Sequence, residues 1–115
     1  MPRKASTSLP PPPIRRALRQ LGEHLGGWRR LRGLTQVQLA DRAGVSRETI
    51  VRLESGDETG QVKLENALRV LRSLGVLDET VRALDPFASD VGRLRAEEHL
   101  PQRVRPRRLT GNGDG

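Results

Sequence analysis

The sequence predicts an all-α fold. Three observations carry that expectation. Apolar residues recur at three- and four-residue spacing from Ile14 to Leu84. Helix-capping residues and glycines punctuate that pattern at short intervals. No stretch alternates polar and apolar residues as a half-buried strand would. The length of 115 residues and the 34% apolar content suit one compact core with tails.

The elements follow in order. Residues 1–13 read as a flexible Pro-rich arm. Pro10 to Pro13 form a polyproline run, extended and unable to enter a helix. The run is a stiff spacer or, alternatively, a PxxP-type ligand. A helix begins at Ile14, with Ile14, Leu18, Leu21, Leu25 and Trp28 on one buried face and His24 on the outer one. Gly26 and Gly27 weaken this helix by about 1 kcal/mol each, and Gly33 reads as its C-cap.

Thr35 then opens a helix over 36–43, with Gln38 completing a capping box. Ser46 caps a third helix over 47–54, with Ile50 and Leu53 facing in, and Gly56 stops it. A polar loop over 57–62 leads to a fourth helix over 63–74. Its buried face is Leu64, Ala67, Leu68, Leu71 and Leu74, and Gly75 ends it. Asp78 caps a short fifth helix over 79–84, ended by Pro86. The domain is thus 14–86. A C-terminal extension over 87–115 holds one short helix at 91–99 and a disordered end from 109.

Composition excludes several function classes. An aromatic content of 2% argues against stacking platforms for single strands. Absence of cysteine removes disulfides, thiolate metal sites and cysteine nucleophiles. His24 and His99 lie too far apart for a short metal-ligand motif. No apolar run approaches a membrane span, and no secretory leader is visible. No nucleophile–base constellation or Gly-rich phosphate loop occurs. The expectation is a cytoplasmic, non-enzymatic protein with no catalytic residue, metal or cofactor.

Charge points toward a polyanion. The net charge is +7, and residues 1–32 hold eight basic residues against one acid. A clustered positive field favours nucleic acid, although basic residues also serve solubility. The stretch from Thr35 to Glu54 then fits a helix-turn-helix. Ala40 is small where two helices cross, Gly44 makes the turn, and Val45 with Ile50 fills the space beneath. The second helix of such a pair lies in a major groove, leading with its N-terminal side chains.

These residues resemble the Cro/C1-type (XRE) helix-turn-helix family of the phage lambda and 434 repressors. The resemblance covers about residues 18–76. It rests on Leu21-Gly22-Glu23, Arg32-Gly33-Leu34-Thr35-Gln36, Leu39-Ala40, Ala43-Gly44-Val45-Ser46, Thr49-Ile50, Leu53-Glu54 and Gly56. Departures are Trp28 where Leu is usual, the Gly26-Gly27 pair, and the missing Pro-Ser cap before the fourth helix.

The resemblance implies a five-helix lambda-repressor-like domain and a set of roles. Gln36 would donate to a phosphate. Ser46, Arg47, Glu48, Thr49 and Arg52 would form the DNA-reading set. Arg47 and Arg52 suit bidentate contacts to guanine. Glu48 accepts from cytosine or orients Arg52 at i,i+4. Thr49 touches a phosphate or a thymine methyl. Ser46 is first a helix cap, and Arg47, like Arg42, has solvated surface charge as its alternative. Arg29 and Glu54 match a structural ion pair of the family. A homodimer on a roughly palindromic operator is implied, with Leu77, Val81, Leu84 and Phe87 as contact or core residues.

The C-terminal extension is similar to those of HipB-like antitoxins, partners of HipA-type kinase toxins. That similarity implies an autorepressing antitoxin, bacterial and nucleoid-associated, with Val91, Arg93, Leu94 and Arg95 as partner-binding residues. The alternative is a stand-alone transcriptional repressor of the XRE family without a toxin.

Overall fold

The computed structural model describes residues 9–58 and 62–99. In chain order the elements are α1 (Pro12–Leu31), α2 (Gln36–Ala43), α3 (Arg47–Ser55), α4 (Leu64–Leu74), α5 (Leu77–Ala83), a 3-10 turn (Pro86–Ala88) and α6 (Asp90–His99). No strand occurs among the described residues, so the all-α, lambda-repressor-like fold expected from the sequence is the fold observed. The first eight residues of the expected arm, and the end of the extension from residue 100, lie outside the described residues. The chain forms two compact units, the first ending at Asp78 and the second beginning at Glu79, inside α5.

The first helix starts two residues earlier than its apolar pattern. Pro11 is the extended N-cap, while Pro12 and Pro13 occupy the first turn. Proline's fixed φ suits that turn, and its missing N–H has no helical acceptor there anyway. The proline run is therefore divided, not wholly extended.

The apolar face of α1 is also only partly a core face. Leu25 is buried, but Ile14, Leu21 and Trp28 are exposed. Twenty residues make a helix about 30 Å long, longer than the elements that cover it. Leu18 and Leu21 line an open apolar groove of about 240 Å³ together with Leu53, Val62, Leu64 and Ala67. Trp28, expected in the core, is 38% exposed. The Arg32 guanidinium carbon lies 5.2 Å from its ring centroid, within cation–π range. Arg32 Nε donates to the Leu74 carbonyl at 2.9 Å. The Trp28 ring thus supports a side chain that caps the C-terminus of α4.

The core of the first unit comprises Leu25, Leu34, Leu39, Ala40, Ala43, Ile50, Val70, Leu71, Leu74 and Val76. Leu39, Ile50, Val70 and Leu74 are the most deeply buried, each worth about 1.5–3 kcal/mol of transfer free energy. Helix α2 packs on α3 and α4, and α1 packs on α3. Leu64, expected on the buried face of α4, is its first residue and is exposed.

One close approach fixes the α1–α3 crossing. A Cβ at Gly22 would lie 2.5 Å from the Leu53 carbonyl oxygen and 2.6 Å from that of Glu54. Only glycine lets the two backbones meet there. Gly27 is the opposite case, where a Cβ would meet nothing within 4 Å.

The second unit is built differently. Helix α5 opens at Leu77, so Asp78 sits inside it instead of capping it. Its start still belongs to the first unit, where Gly75 ends α4, the buried Val76 follows at once, and Leu77 packs on that unit's own core. Beyond Glu79, Val81 and Leu84 are exposed, as are Phe87, Val91 and Leu94. The Asp85 carboxylate accepts from the Phe87 amide at 2.9 Å. Gly92 packs so tightly on Pro86 that a Cβ would overlap its carbonyl, and Ala96 is buried.

These contacts separate the glycines of α1. Gly22→Ala is expected to destabilise the protein by about 2 kcal/mol through overpacking. Gly27→Ala is expected to stabilise it by about 1 kcal/mol, the ordinary helix preference. Urea denaturation of both variants checks the pair.

Candidate nucleic-acid interface

The α2–turn–α3 unit is built by local chemistry. Thr35 Oγ1 accepts from the Gln38 amide at 3.0 Å, and Gln38 Oε1 accepts from the Thr35 amide at 2.9 Å. Two of the orphan donors at the start of α2 are thereby satisfied. Gly44 ends α2 at φ 72°, and the amides of Gly44 and Val45 both donate to the Ala40 carbonyl. A side chain in that left-handed geometry costs roughly 1–2 kcal/mol. Ser46 Oγ then accepts from the Thr49 amide at 3.1 Å, and the two hydroxyls lie 2.9 Å apart.

The far end of α3 is held by a carboxylate. Arg29 Nε donates to Glu54 Oε2 at 2.7 Å and Arg29 Nη2 to Oε1 at 3.1 Å. Both side chains are largely buried, at 14% and 12% exposure. Arg29 Nη1 donates to the Leu34 carbonyl at 2.9 Å, and Gln36 Nε2 donates to Glu54 Oε1 at 3.2 Å. One carboxylate therefore joins α1, the α1–α2 connection, the start of α2 and the end of α3. Gln36, a phosphate donor by resemblance, is committed to this network by one of its two amide hydrogens.

The outer face of α3 carries the remaining site residues. Arg47 is exposed and its side chain makes no hydrogen bond or ion pair among the described residues. Arg42 on α2 is in the same position. Thr49 is half-buried, with its hydroxyl turned to Ser46. Arg52 is engaged on two sides. Its Nη2 donates to Glu48 Oε2 at 3.0 Å and its Nη1 to Asp57 Oδ2 at 3.1 Å. The hydrogen bond donated to Glu48, then that donated to Asp57, raises the Arg52 pKa above its ordinary value.

Asp57 is the member that sequence reasoning missed. It follows the Gly56 cap and reads there as polar loop. Its signal was a carboxylate five residues after an arginine, just past a left-handed glycine, a spacing that no helical rule pairs.

The residues assigned to partner binding lie in the second unit. Val91 and Leu94 are exposed, as is Arg95. Arg93 pairs with Asp90 and donates to the Phe87 carbonyl at 2.9 Å. Among the described residues, no group of three or more His, Asp or Glu side chains is placed to hold a metal ion, and no helix is long and apolar enough to cross a membrane.

The buried and exposed ion pairs differ in weight. Glu54→Ala leaves Arg29 uncompensated and is expected to cost about 3 kcal/mol. Glu65→Ala removes the exposed partner of Arg69 and is expected to cost no more than about 0.5 kcal/mol. Chemical denaturation measures both.

The geometry agrees with comparison to known proteins. No curated protein matches the sequence of the chain. The family model described as Helix-turn-helix matches residues 28–79, a span that begins at Trp28 and takes in the whole of α2, α3 and α4. Over that segment the chain is similar to helix-turn-helix proteins, and the match supports a DNA-binding regulator.

Proposed function

We propose that the protein is a sequence-specific repressor that binds a roughly palindromic duplex as a homodimer. The single observation that carries this reading is the arrangement of α3. Its Ser46-capped end presents Arg47, exposed and unpaired among the described residues, while its other end is fixed through Glu54. A short helix so held, with long donors at its leading end, suits the major groove. An unpaired arginine brings a bidentate fork to guanine O6 and N7. The cationic segment 1–32 adds phosphate attraction without sequence information. On this reading the protein works on the nucleoid in a bacterial cytoplasm.

Dimerisation is the part of the proposal that sets operator symmetry. Half-sites then lie about 10–10.5 bp apart or at multiples of that spacing. Selection from random duplexes is expected to enrich such a paired motif. Arg47→Ala is expected to lose about 1–3 kcal/mol on the enriched site and to relax preference at one base pair of each half-site. Enrichment of no duplex motif contradicts the proposal.

A second reading makes the repressor a HipB-like antitoxin of a HipA-type kinase. The observation that favours a partner is the second unit, where Val81, Leu84, Phe87, Val91 and Leu94 are all exposed. A helical segment with so little buried surface gains stability by covering it. Truncation after Phe87 is expected to leave operator affinity within a few-fold and to abolish capture of a co-expressed HipA-type kinase. Toxin capture by the truncated protein contradicts the assignment of the extension to the partner, and lost operator binding makes the extension a dimer or DNA element instead.

A further inference from the structure

The Arg52 side chain is bracketed by two carboxylates from different parts of the chain. Glu48 lies one helical turn before it, 3.0 Å away at Nη2. Asp57 lies in the turn after α3, 3.1 Å away at Nη1. The two differ in setting. The Glu48 side chain is 71% exposed, whereas that of Asp57 is 14% exposed. Glu48 is a solvated surface partner, and Asp57 is a sheltered one, placed by the Gly56 cap at φ 73°.

A guanidinium has five N–H donors in a planar fork. The two carboxylates take one donor from each terminal nitrogen, which leaves three. Three donors include enough for a bidentate contact to the O6 and N7 acceptors of guanine. A long arginine ordinarily loses rotamer freedom when it binds. Here two charge-assisted bonds impose that loss in the free protein. Arg47, by contrast, has no partner among the described residues, so its ordering is deferred to the encounter with DNA. The leading arginine of α3 is adaptable and the second one is set in advance.

Resting on the DNA-binding reading, we propose that Asp57 is a positioning residue for base discrimination. With Glu48 it fixes the aim of Arg52, so that Arg52 selects a guanine at one base pair of each half-site. Asp57 itself touches no base. The two carboxylates also keep Arg52 from drifting to a phosphate, where it would bind every sequence alike.

The test is a base-by-base preference profile of the full chain on its selected duplex. It is measured for the wild type, Arg52→Ala, Asp57→Asn and Glu48→Gln, with the salt dependence of each. Asp57→Asn is expected to lose about tenfold discrimination at the same base pair that Arg52→Ala affects, with the other positions unchanged. The salt slope is expected to steepen as the released arginine reaches a phosphate. Glu48→Gln, a change at an exposed residue that cannot unfold the domain, is expected to relax the same base pair more weakly. This keeps the proposal testable if Asp57→Asn is unstable.

An even change across all positions, or none, overturns the positioning role and leaves DNA recognition standing. Sharper discrimination in Asp57→Asn overturns it too, since the carboxylates would then be withholding Arg52 from DNA. A wild-type protein that enriches no motif overturns the proposal and the DNA-binding reading together.

Discussion

The architecture of the first unit converges on the carboxylate of Glu54. It sits at the end of α3 and accepts from Arg29 of α1 and Gln36 of α2. Arg29 in turn holds the Leu34 carbonyl in the connection between those helices. A buried charge without partners is costly, so each member of this network requires the others. The short helix α3 has only one fully buried side chain of its own, Ile50. Packing alone leaves such a helix free to roll or slide. The Glu54 network fixes its distal end, and the Gly22 crossing sets its distance from α1. What remains open to solvent is the face that bears Arg47, Glu48 and Arg52.

The first unit divides its arginines by commitment. Arg29 is bound into the fold and Arg32 is spent on Trp28 and the end of α4. Arg69 is matched by Glu65. Arg42 and Arg47 carry charge that nothing among the described residues neutralises. The basic surplus in the composition therefore does not act as one undivided field. Part of it is structural, and another part, Arg15, Arg16 and Arg30 included, has no ion-pair partner among the described residues.

Much of this was legible in the sequence because the signals are local. A Thr35–Gln38 capping box, a Ser46 cap and glycines after α2, α3 and α4 mark boundaries through chemistry within four residues. Arg29 and Glu54 were reached only through resemblance, since 25 positions separate them. Periodicity misled where a helix outruns its neighbours. It placed Ile14, Leu21 and Trp28 in a core that ends near Gly22 and Leu25. It missed the two helical prolines, because a proline run reads as extended until its position in a first turn is known. Gly22 read as one motif residue among several, and its reason, a backbone crossing, is tertiary. Asp57 stayed hidden because its five-residue separation from Arg52, across the Gly56 turn, matches no helical pairing rule.

On the proposed reading α3, so anchored, enters a major groove and reads guanine there. Methylation interference on the selected duplex tests it most directly, because dimethyl sulfate marks guanine N7 in the major groove and adenine N3 in the minor one. Guanine N7 methylation is expected to block binding at equivalent positions of two half-sites on one face of the duplex. Interference confined to adenine N3, or none at any guanine, would contradict it.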